Sequence, residues 1–374
     1  MTPETMRTWA EVDLSALVDN LKLAKSRTGK QVMCVIKGDA HGHGALACGK
    51  ALEANGADAF AVASLEEGIA LRQSGIRMPI LVLGWTPAEF AHLLVRHRLT
   101  QSILDEDYAK ELSESLTAEL DVHVKLDTGM SRTGIFAQED PKAAAKAVLR
   151  IANLPNLRLT GLFTHYAAAD MPRKDDFTAW QLENFKAVLR ELEQLGYTQK
   201  LLHHTGNSAV ILNHPECYFD MVRMGVMMYG LYPDGVWQEN GPLKPVLTLK
   251  SRVAQVKQLP AGAHISYGCT ARTERVTKIA VVSAGYADAY PRSLSNTGAY
   301  AVINGVKCPQ IGRVCMDLCM FDITDAQVPI SRGDEVILYG KGGMPMEEVA
   351  RLGNTINCQP LSVLTNRVRK VYIP

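Results

Sequence analysis

The chain has 374 residues, enough for two domains, and 47% of them are apolar, so a large core can form. The 40 basic and 39 acidic residues leave a formal net charge of +1 and are interspersed. That argues against a nucleic acid or another polyanion as partner, which would need a basic face. No apolar run reaches the roughly 18 residues of a membrane helix. The opening Met1-Thr-Pro-Glu-Thr-Met-Arg7 has no apolar signal core, so a cytoplasmic location is expected.

Taken in chain order, the first two-thirds alternate between strand-like and helix-like segments. Apolar, β-rich runs occur at Val32–Ile36, Ala59–Ala63, Pro79–Leu83, Leu120–Leu126, Leu159–Thr164 and Lys200–His203. Helix-like segments lie between them, among them Leu65–Gln73, Pro141–Ile151 and Asp176–Leu195. This spacing predicts repeated β-α units over a length close to the roughly 250 residues of a (β/α)8 barrel. A doubly wound sheet has the same alternation, but no glycine-rich dinucleotide fingerprint follows the first strand.

After about Asp234 the texture changes to short alternating runs at Leu247–Val256, Val276–Ser283, Ala299–Ile303 and Glu335–Leu338, separated by turn residues. Asn304-Gly305 between apolar runs predicts a hairpin. We expect an α/β fold: a barrel domain over 1–238 and a mostly-β domain over 239–374 with one short helix near Met346–Leu352. The segment near 8–13 is expected to pack with the β-domain. The eight cysteines, Cys34, Cys48, Cys217, Cys269, Cys308, Cys315, Cys319 and Cys358, include no C-x-x-C pair. They are read as reduced, mostly buried thiols, with no metal site.

One segment carries chemistry. In Val35-Ile36-Lys37-Gly38-Asp39-Ala40-His41-Gly42-His43-Gly44 a lysine ends an apolar strand. Barrel enzymes hold their catalysis at such strand ends. A partly desolvated amine there loses its proton more readily and can attack an aldehyde. A surface lysine followed by an ordinary loop would look the same.

The segment resembles the pyridoxal-phosphate signature of the alanine racemase family. Further family-like motifs follow in order: Trp9-Ala-Glu-Val-Asp13, Lys125-Leu-Asp-Thr-Gly-Met-Ser-Arg132-Thr-Gly134, Thr164-His165 and His204-Thr-Gly-Asn207-Ser208. Then come Val222-Arg223-Met-Gly225, Tyr229-Gly230-Leu-Tyr-Pro233, Ser266-Tyr267-Gly268, Gly285-Tyr286-Ala-Asp288 and Gly312-Arg313-Val-Cys-Met316-Asp317. The resemblance spans almost the whole chain. It implies a (β/α)8 TIM-type barrel followed by a β-domain, and a racemase of a small amino acid supplying D-amino acid for cell-wall precursors. Pyridoxal 5'-phosphate would be its cofactor, and its active sites would be shared across a homodimer. A decarboxylase of the same architecture, or a barrel that merely carries the cofactor, is the alternative.

By the same resemblance, Lys37 would hold the cofactor as a Schiff base and serve as one catalytic base. Tyr267, from the partner subunit, would serve as the other, with His165 hydrogen-bonded to it. Asn207, Ser208, Arg223, Gly225 and Val226 would surround the cofactor, with Ser208 and the amides of Gly225 and Val226 at its phosphate and Arg223 at its ring nitrogen. Arg132 would meet the cofactor's phenolic oxygen and the substrate carboxylate. Lys125 matches a position that is carbamylated in some members. Met316 and Asp317 would hold the substrate carboxylate, and Tyr286 would line the mouth of the site.

Two positions depart from the family pattern. His41 stands where a phosphate-contacting tyrosine is usual, and an imidazole can still donate a hydrogen bond. In Leu352-Gly-Asn-Thr-Ile-Asn-Cys-Gln-Pro360 either Asn357 or Cys358 replaces another usual tyrosine beside the phosphate and the substrate side chain. Either is smaller, so room for a hydroxymethyl group is expected, as in the vancomycin-resistance serine racemases. In those proteins a membrane domain precedes the racemase domain, and the resemblance allows this chain to be the cytoplasmic domain of such a membrane-anchored protein. The expected substrates are therefore serine, alanine or both.

Overall fold

The computed structural model of the chain describes residues 5–233 and 242–374. Its first strand, β1 (Thr8–Asp13), does not enter the barrel. The barrel begins with β2 (Gln31–Val35), β3 (Ala59–Val62), β4 (Ile80–Val82), β5 (Thr100–Ile103) and β6 (Leu120–Asp127). A two-residue β7 (Ile135–Phe136) lies beside the end of β6, followed by β8 (Leu157–Phe163), β9 (Leu202–His204) and β10 (Met221–Met224). Neighbouring barrel strands are parallel in the order β5-β4-β3-β2-β10-β9-β8-β6, and the β5–β6 pairing closes the ring. This is the expected (β/α)8 barrel.

The local sequence sets the helices between these strands. Asp13 caps Leu14–Thr28 by accepting from the Ala16 amide, and Gly29 ends that helix at φ 61°. Ser64 caps Leu65–Gln73, with Glu66 and Glu67 in its first turn. Asp140 and Pro141 open Pro141–Ala152. Strand alternation then divides the apolar residues. Val32 and Cys34 of β2 join the main core, whereas Met33 joins Ala59, Ala61, Leu81 and Met221 in a separate cluster.

The β-domain contains β11 (Leu247–Leu259), β12 (His264–Ile265), β13 (Ala271–Arg272), β14 (Thr277–Val282), β15 (Tyr300–Ile303), β16 (Val306–Pro309), β17 (Cys319–Asp322), β18 (Glu335–Tyr339) and β19 (Arg369–Ile373). Its main sheet runs β16-β15-β18-β11-β1-β19. β1 pairs antiparallel with β11 and parallel with β19, so the two ends of the chain meet in one sheet. β11 shifts register between Val253 and Gln255 and continues as the partner of β14. The expected hairpin is present, with Asn304 at φ 48° and Gly305 at φ 80° between β15 and β16. The short helix is Met346–Gly353. The domain boundary expected at 238/239 lies outside the described residues. No described helix is long and apolar enough to cross a membrane.

Candidate active site

Lys37 directly follows Ile36, whose amide donates to the Ala61 carbonyl at 2.9 Å. The chain then turns the wrong way: Gly38, Asp39, Ala40 and His41 have φ of 61°, 51°, 55° and 51°. For a residue with a Cβ this left-handed state costs about 1–2 kcal/mol, so something must hold it. Glu67 Oε1 accepts from the Gly38 amide at 2.6 Å while its Oε2 accepts from the Ala63 amide at 2.7 Å, tying the turn to the end of β3. Asp39 accepts from the Ala45 amide at 2.7 Å and pairs with Lys370 of β19 at 2.8 Å. Gly42 is required where it stands, because a Cβ there would lie 1.9 Å from the Leu361 carbonyl oxygen.

Above this turn opens a cavity of about 530 Å³ at the carboxyl ends of the barrel strands. Lys37, His41, Lys125, Arg132, His165, Asn207, Ser208, Arg223, Gly225, Val226, Asn357 and Cys358 all line it. Lys37, Lys125, Arg132 and Arg223 contribute four cationic side chains to this wall, against the single carboxylate of Asp170. Such a wall favours an anion. Burial, then Arg132, holds the Lys37 amine below its ordinary pKa, against the opposing pull of Glu67 and Cys358. Burial, Arg132 and Arg223 push Lys125 down to about 8. Its Nζ donates to Thr133 Oγ1 at 2.6 Å.

Arg223 is buried and organises the floor of the cavity. NH2 donates to the carbonyls of Thr164 (2.7 Å) and Thr205 (3.0 Å) and to Nδ1 of His165 (3.1 Å). NH1 donates to the His204 carbonyl at 2.5 Å and to His204 Nδ1 at 3.1 Å. Among the described residues the Nε–H has no hydrogen-bond partner. Burial, then Arg223, drives the His165 pKa far below its ordinary value, so the ring is neutral. Asn207 caps the helix Ser208–Asn213, and Ser208 Oγ accepts from the amides of Gly225 (3.0 Å) and Met227 (3.2 Å).

Four expected site residues do not line this cavity within one chain. Tyr267 lies between β12 and β13 and is 68% exposed; Met316 is 51% and Tyr286 42% exposed. Asp317 is also at the surface. The structure joins them into one patch. Ser266 Oγ, beside Tyr267, donates to the Arg313 carbonyl at 2.6 Å. The Tyr286 amide donates to the Cys315 carbonyl at 3.0 Å and the Ala287 amide to the Met316 carbonyl at 3.1 Å. Buried Asp288 pairs with Arg7 and Arg367, and Arg367 also pairs with Asp317.

Residues 12–233 match the family model described as alanine racemase, N-terminal domain, and residues 246–372 match alanine racemase, C-terminal domain. The chain belongs to the alanine racemase family. It is 40% identical to the alanine racemase of Clostridium novyi over 373 residues, 98% of this chain and 95% of that protein. With the alanine racemase of Carboxydothermus hydrogenoformans it is 42% identical over 374 residues, 98% of this chain and 99% of that one. It superposes on the structure of the Clostridium difficile 630 alanine racemase with a TM-score of 0.91 at 37% identity, covering 99% of this chain and 96% of that one. Members of this family are pyridoxal-phosphate-dependent isomerases, and this chain is a racemase of the same kind.

Sequence motifs did not single out three supports of this racemase site. Gln181, on the helix Asp175–Gln194, brackets His165: its Nε2 donates to the His165 carbonyl at 3.1 Å and its Oε1 accepts from the Ala167 amide at 2.9 Å. Glu67, in the first turn of the helix Leu65–Gln73, and Lys370, on the last strand, fasten the turn after Lys37. The one signal that sequence carries for Gln181 is its place at helical spacing with the apolar Leu182, Phe185 and Val188, on the face that the structure buries. Five of the eight cysteines are buried, Cys315 and Cys358 are half-buried, and Cys269 is exposed.

Proposed function

We propose that this chain racemises alanine and also serine, using pyridoxal 5'-phosphate, with Lys37 of one subunit and Tyr267 of its partner as the two bases. The residues fit the cofactor. The cavity has the volume of a small-ligand site, its cationic surplus suits a phosphate and a carboxylate, and His41 Nδ1 is buried without a partner. Lys37 would hold the cofactor, with Ser208, Gly225, Val226, Asn207 and His41 around its phosphate and the Arg223 Nε–H toward its ring nitrogen. Bound there, the cofactor draws electron density from the substrate's α-carbon and so acidifies its proton.

The remaining work belongs to this chain's own groups. Lys37 Nζ, its pKa already lowered, takes or returns the α-proton on one face. Tyr267 does not line the cavity of its own chain and stands exposed on a patch with Met316 and Tyr286. A homodimer that seats this patch over the partner's cavity supplies the second base, the backbone amide of Met316 and the side chain of Asp317. His165 accepts from Arg223 on Nδ1, so its proton lies on Nε2, ready to donate to the tyrosine oxygen.

Lys125 is the group most ready for modification. A lysine with a pKa of about 8 has a substantial neutral fraction at ordinary pH, and only the neutral amine reacts with carbon dioxide. The N–C bond forms as one proton leaves, replacing a cation crowded by Arg132 and Arg223 with an anion that both attract. The carbamate would orient Arg132 toward the substrate carboxylate.

Serine is supported by the wall at Ile356, Asn357 and Cys358, all three of which face the cavity. Asn357 Nδ2 donates to the Tyr232 carbonyl at 2.7 Å, which anchors the segment without a tyrosine's bulk. The resulting D-amino acid would feed cell-wall precursors, as the family resemblance implies. The observation that carries the two-base reading is the exposure of Tyr267 away from a cavity that holds Lys37. Mixing Lys37→Ala and Tyr267→Phe subunits tests it. Each variant alone should be inactive, and random hybrid dimers should recover about a quarter of the wild-type sites; no recovery would overturn the shared site. Turnover of L-serine and L-alanine tests the substrate, and a preference for alanine above about a hundredfold would reduce the reading to a strict alanine racemase.

A further inference from the structure

Behind Arg223 the barrel interior holds an imidazole pair. His204 ends β9, and His123 lies on β6 two residues before Lys125. His204 Nε2 and His123 Nδ1 are 2.9 Å apart. The His204 ring stacks on Phe163, with centroids 4.8 Å apart and planes 9° apart. The Arg223 guanidinium stands over the same Phe163 ring at 5.5 Å. Gly161 makes room for this arrangement, since a Cβ there would lie 2.8 Å from the His123 ring. The β6–β8 register also shifts between Val122 and His123.

The arginine sets the direction of every bond in the chain. A guanidinium only donates, so His204 Nδ1 must accept from it. His204 is fully buried, and burial, His123 and Arg223 hold it neutral. A neutral imidazole carries one proton, which therefore sits on Nε2 and is donated to His123 Nδ1. The proton of neutral His123 then lies on its own Nε2. His123 faces a second cavity of about 190 Å³, lined by Gln31, Met33, Asp58 and Thr100 near the amino-terminal ends of the strands.

We propose that His123 is a positioning residue for racemisation: by accepting the His204 proton it obliges His204 to show Arg223 a lone pair, which holds the guanidinium in register with His165 and the cavity. Without that acceptor the His204 Nε2–H is left buried and unpaired, a cost the ring can relieve only by turning or by moving its proton to Nδ1 against an arginine N–H, and either change releases Arg223. The proposal rests on the reading that Arg223 faces the cofactor ring.

The test uses the holoenzyme with His123→Leu, His123→Asn and Arg223→Gln. The first removes the acceptor. The second keeps an amide oxygen close to the place of Nδ1. His123→Leu should lower kcat about tenfold with KM for alanine within about twofold, because Arg132 lies outside this chain of bonds. His123→Asn should return kcat to within about threefold of wild type. The ¹⁵N spectrum of histidine-labelled wild-type enzyme should show His204 protonated on Nε2. A His204 proton on Nδ1, a folded His123→Leu enzyme with wild-type kcat, or a His123→Asn enzyme as slow as His123→Leu would overturn the proposal. Should His123→Leu not fold, the tautomer and His123→Asn decide. An Arg223→Gln enzyme with wild-type kcat would instead overturn the reading of Arg223. An impaired Arg223→Gln beside a normal His123→Leu would overturn the positioning role alone.

Discussion

Arg223 NH2 donates to His165 Nδ1 across 3.1 Å, and this one bond decides what His165 can do. Because the guanidinium cannot accept, the imidazole keeps its only proton on Nε2, and burial beside four cationic side chains keeps the ring neutral. His165 is thus a fixed neutral donor rather than an acid. His165→Phe preserves the ring volume and removes the donor. We expect kcat to fall about a hundredfold while cofactor affinity, measured by equilibrium dialysis, stays within about threefold, since the phosphate contacts lie elsewhere. A variant that loses cofactor and rate together would show that His165 acts in binding.

The Lys125 amine has a pKa of about 8 and a 2.6 Å bond to Thr133 Oγ1, and its proposed carbamylation should make racemisation depend on carbon dioxide. Below pH 8 the amine is mostly protonated and unreactive; above it the neutral form predominates. Enzyme stripped of carbon dioxide should show a raised KM for alanine. Added bicarbonate should restore it faster at pH 8.5 than at pH 6.5. Labelled ¹³C-bicarbonate should give a carbamate resonance that is absent from Lys125→Ala. Rate and KM unaffected by carbon dioxide would remove the carbamate from the site.

Sequence showed the barrel where strands are apolar and hid it where they are not. Leu120–Leu126 reads as a strand because apolar Val122, Val124 and Leu126 alternate with polar residues, although the polar His123 and Lys125 are buried as well. Thr100–Ile103 went unread because Gln101 and Ser102 are polar yet buried. Gln101 bonds the carbonyls of Gly84 (2.7 Å) and Ser102 (2.9 Å) and accepts from Thr86 at 2.8 Å, contacts that no local pattern announces. The cavity residues were legible through motif resemblance, one by one. Their supports were not: His123 looks like any polar residue in an alternating strand, and nothing in Asp39-Ala40-His41 advertises a left-handed turn.

That turn yields a third prediction. Asp39 is held by Lys370, some 330 residues away in sequence and mostly buried, at 2.8 Å. Lys370→Met keeps the apolar stem and removes the ion pair. The exposed carboxylate limits the direct loss of stability to about 1 kcal/mol, but the strained segment carries Lys37 and His41. The cofactor should therefore dissociate several-fold faster than from wild type, measured by loss of its visible absorbance during dialysis. Equal dissociation rates would show that Glu67 and the Ala45 amide suffice to hold the turn.

His43 gives the last prediction, on stability against pH. Its Nδ1 donates to the carbonyls of Ala40 (2.9 Å) and His41 (3.1 Å), its ring stacks on Tyr229 at 4.3 Å, and its Nε2 is buried without a partner. Burial pushes its pKa from 6.5 down to about 3, outweighing the bonds to Ala40 and His41; the titratable groups facing it are His41, Lys370 and the stacked Tyr229. A depressed folded value means that the unfolded chain takes the proton first. The stability contribution is whole above pH 6.5 and is lost as pH falls toward about 3. Over that window one such histidine costs about 1.4 kcal/mol per pH unit. Urea unfolding at pH 6.0, 5.5 and 5.0 should give wild type a slope steeper than that of His43→Gln by about one proton. The variant is expected to be less stable than wild type at pH 7.5, through lost packing on Tyr229, and to close the gap as the solution is acidified. Parallel slopes would mean that His43 is already protonated, or solvated, in the folded chain.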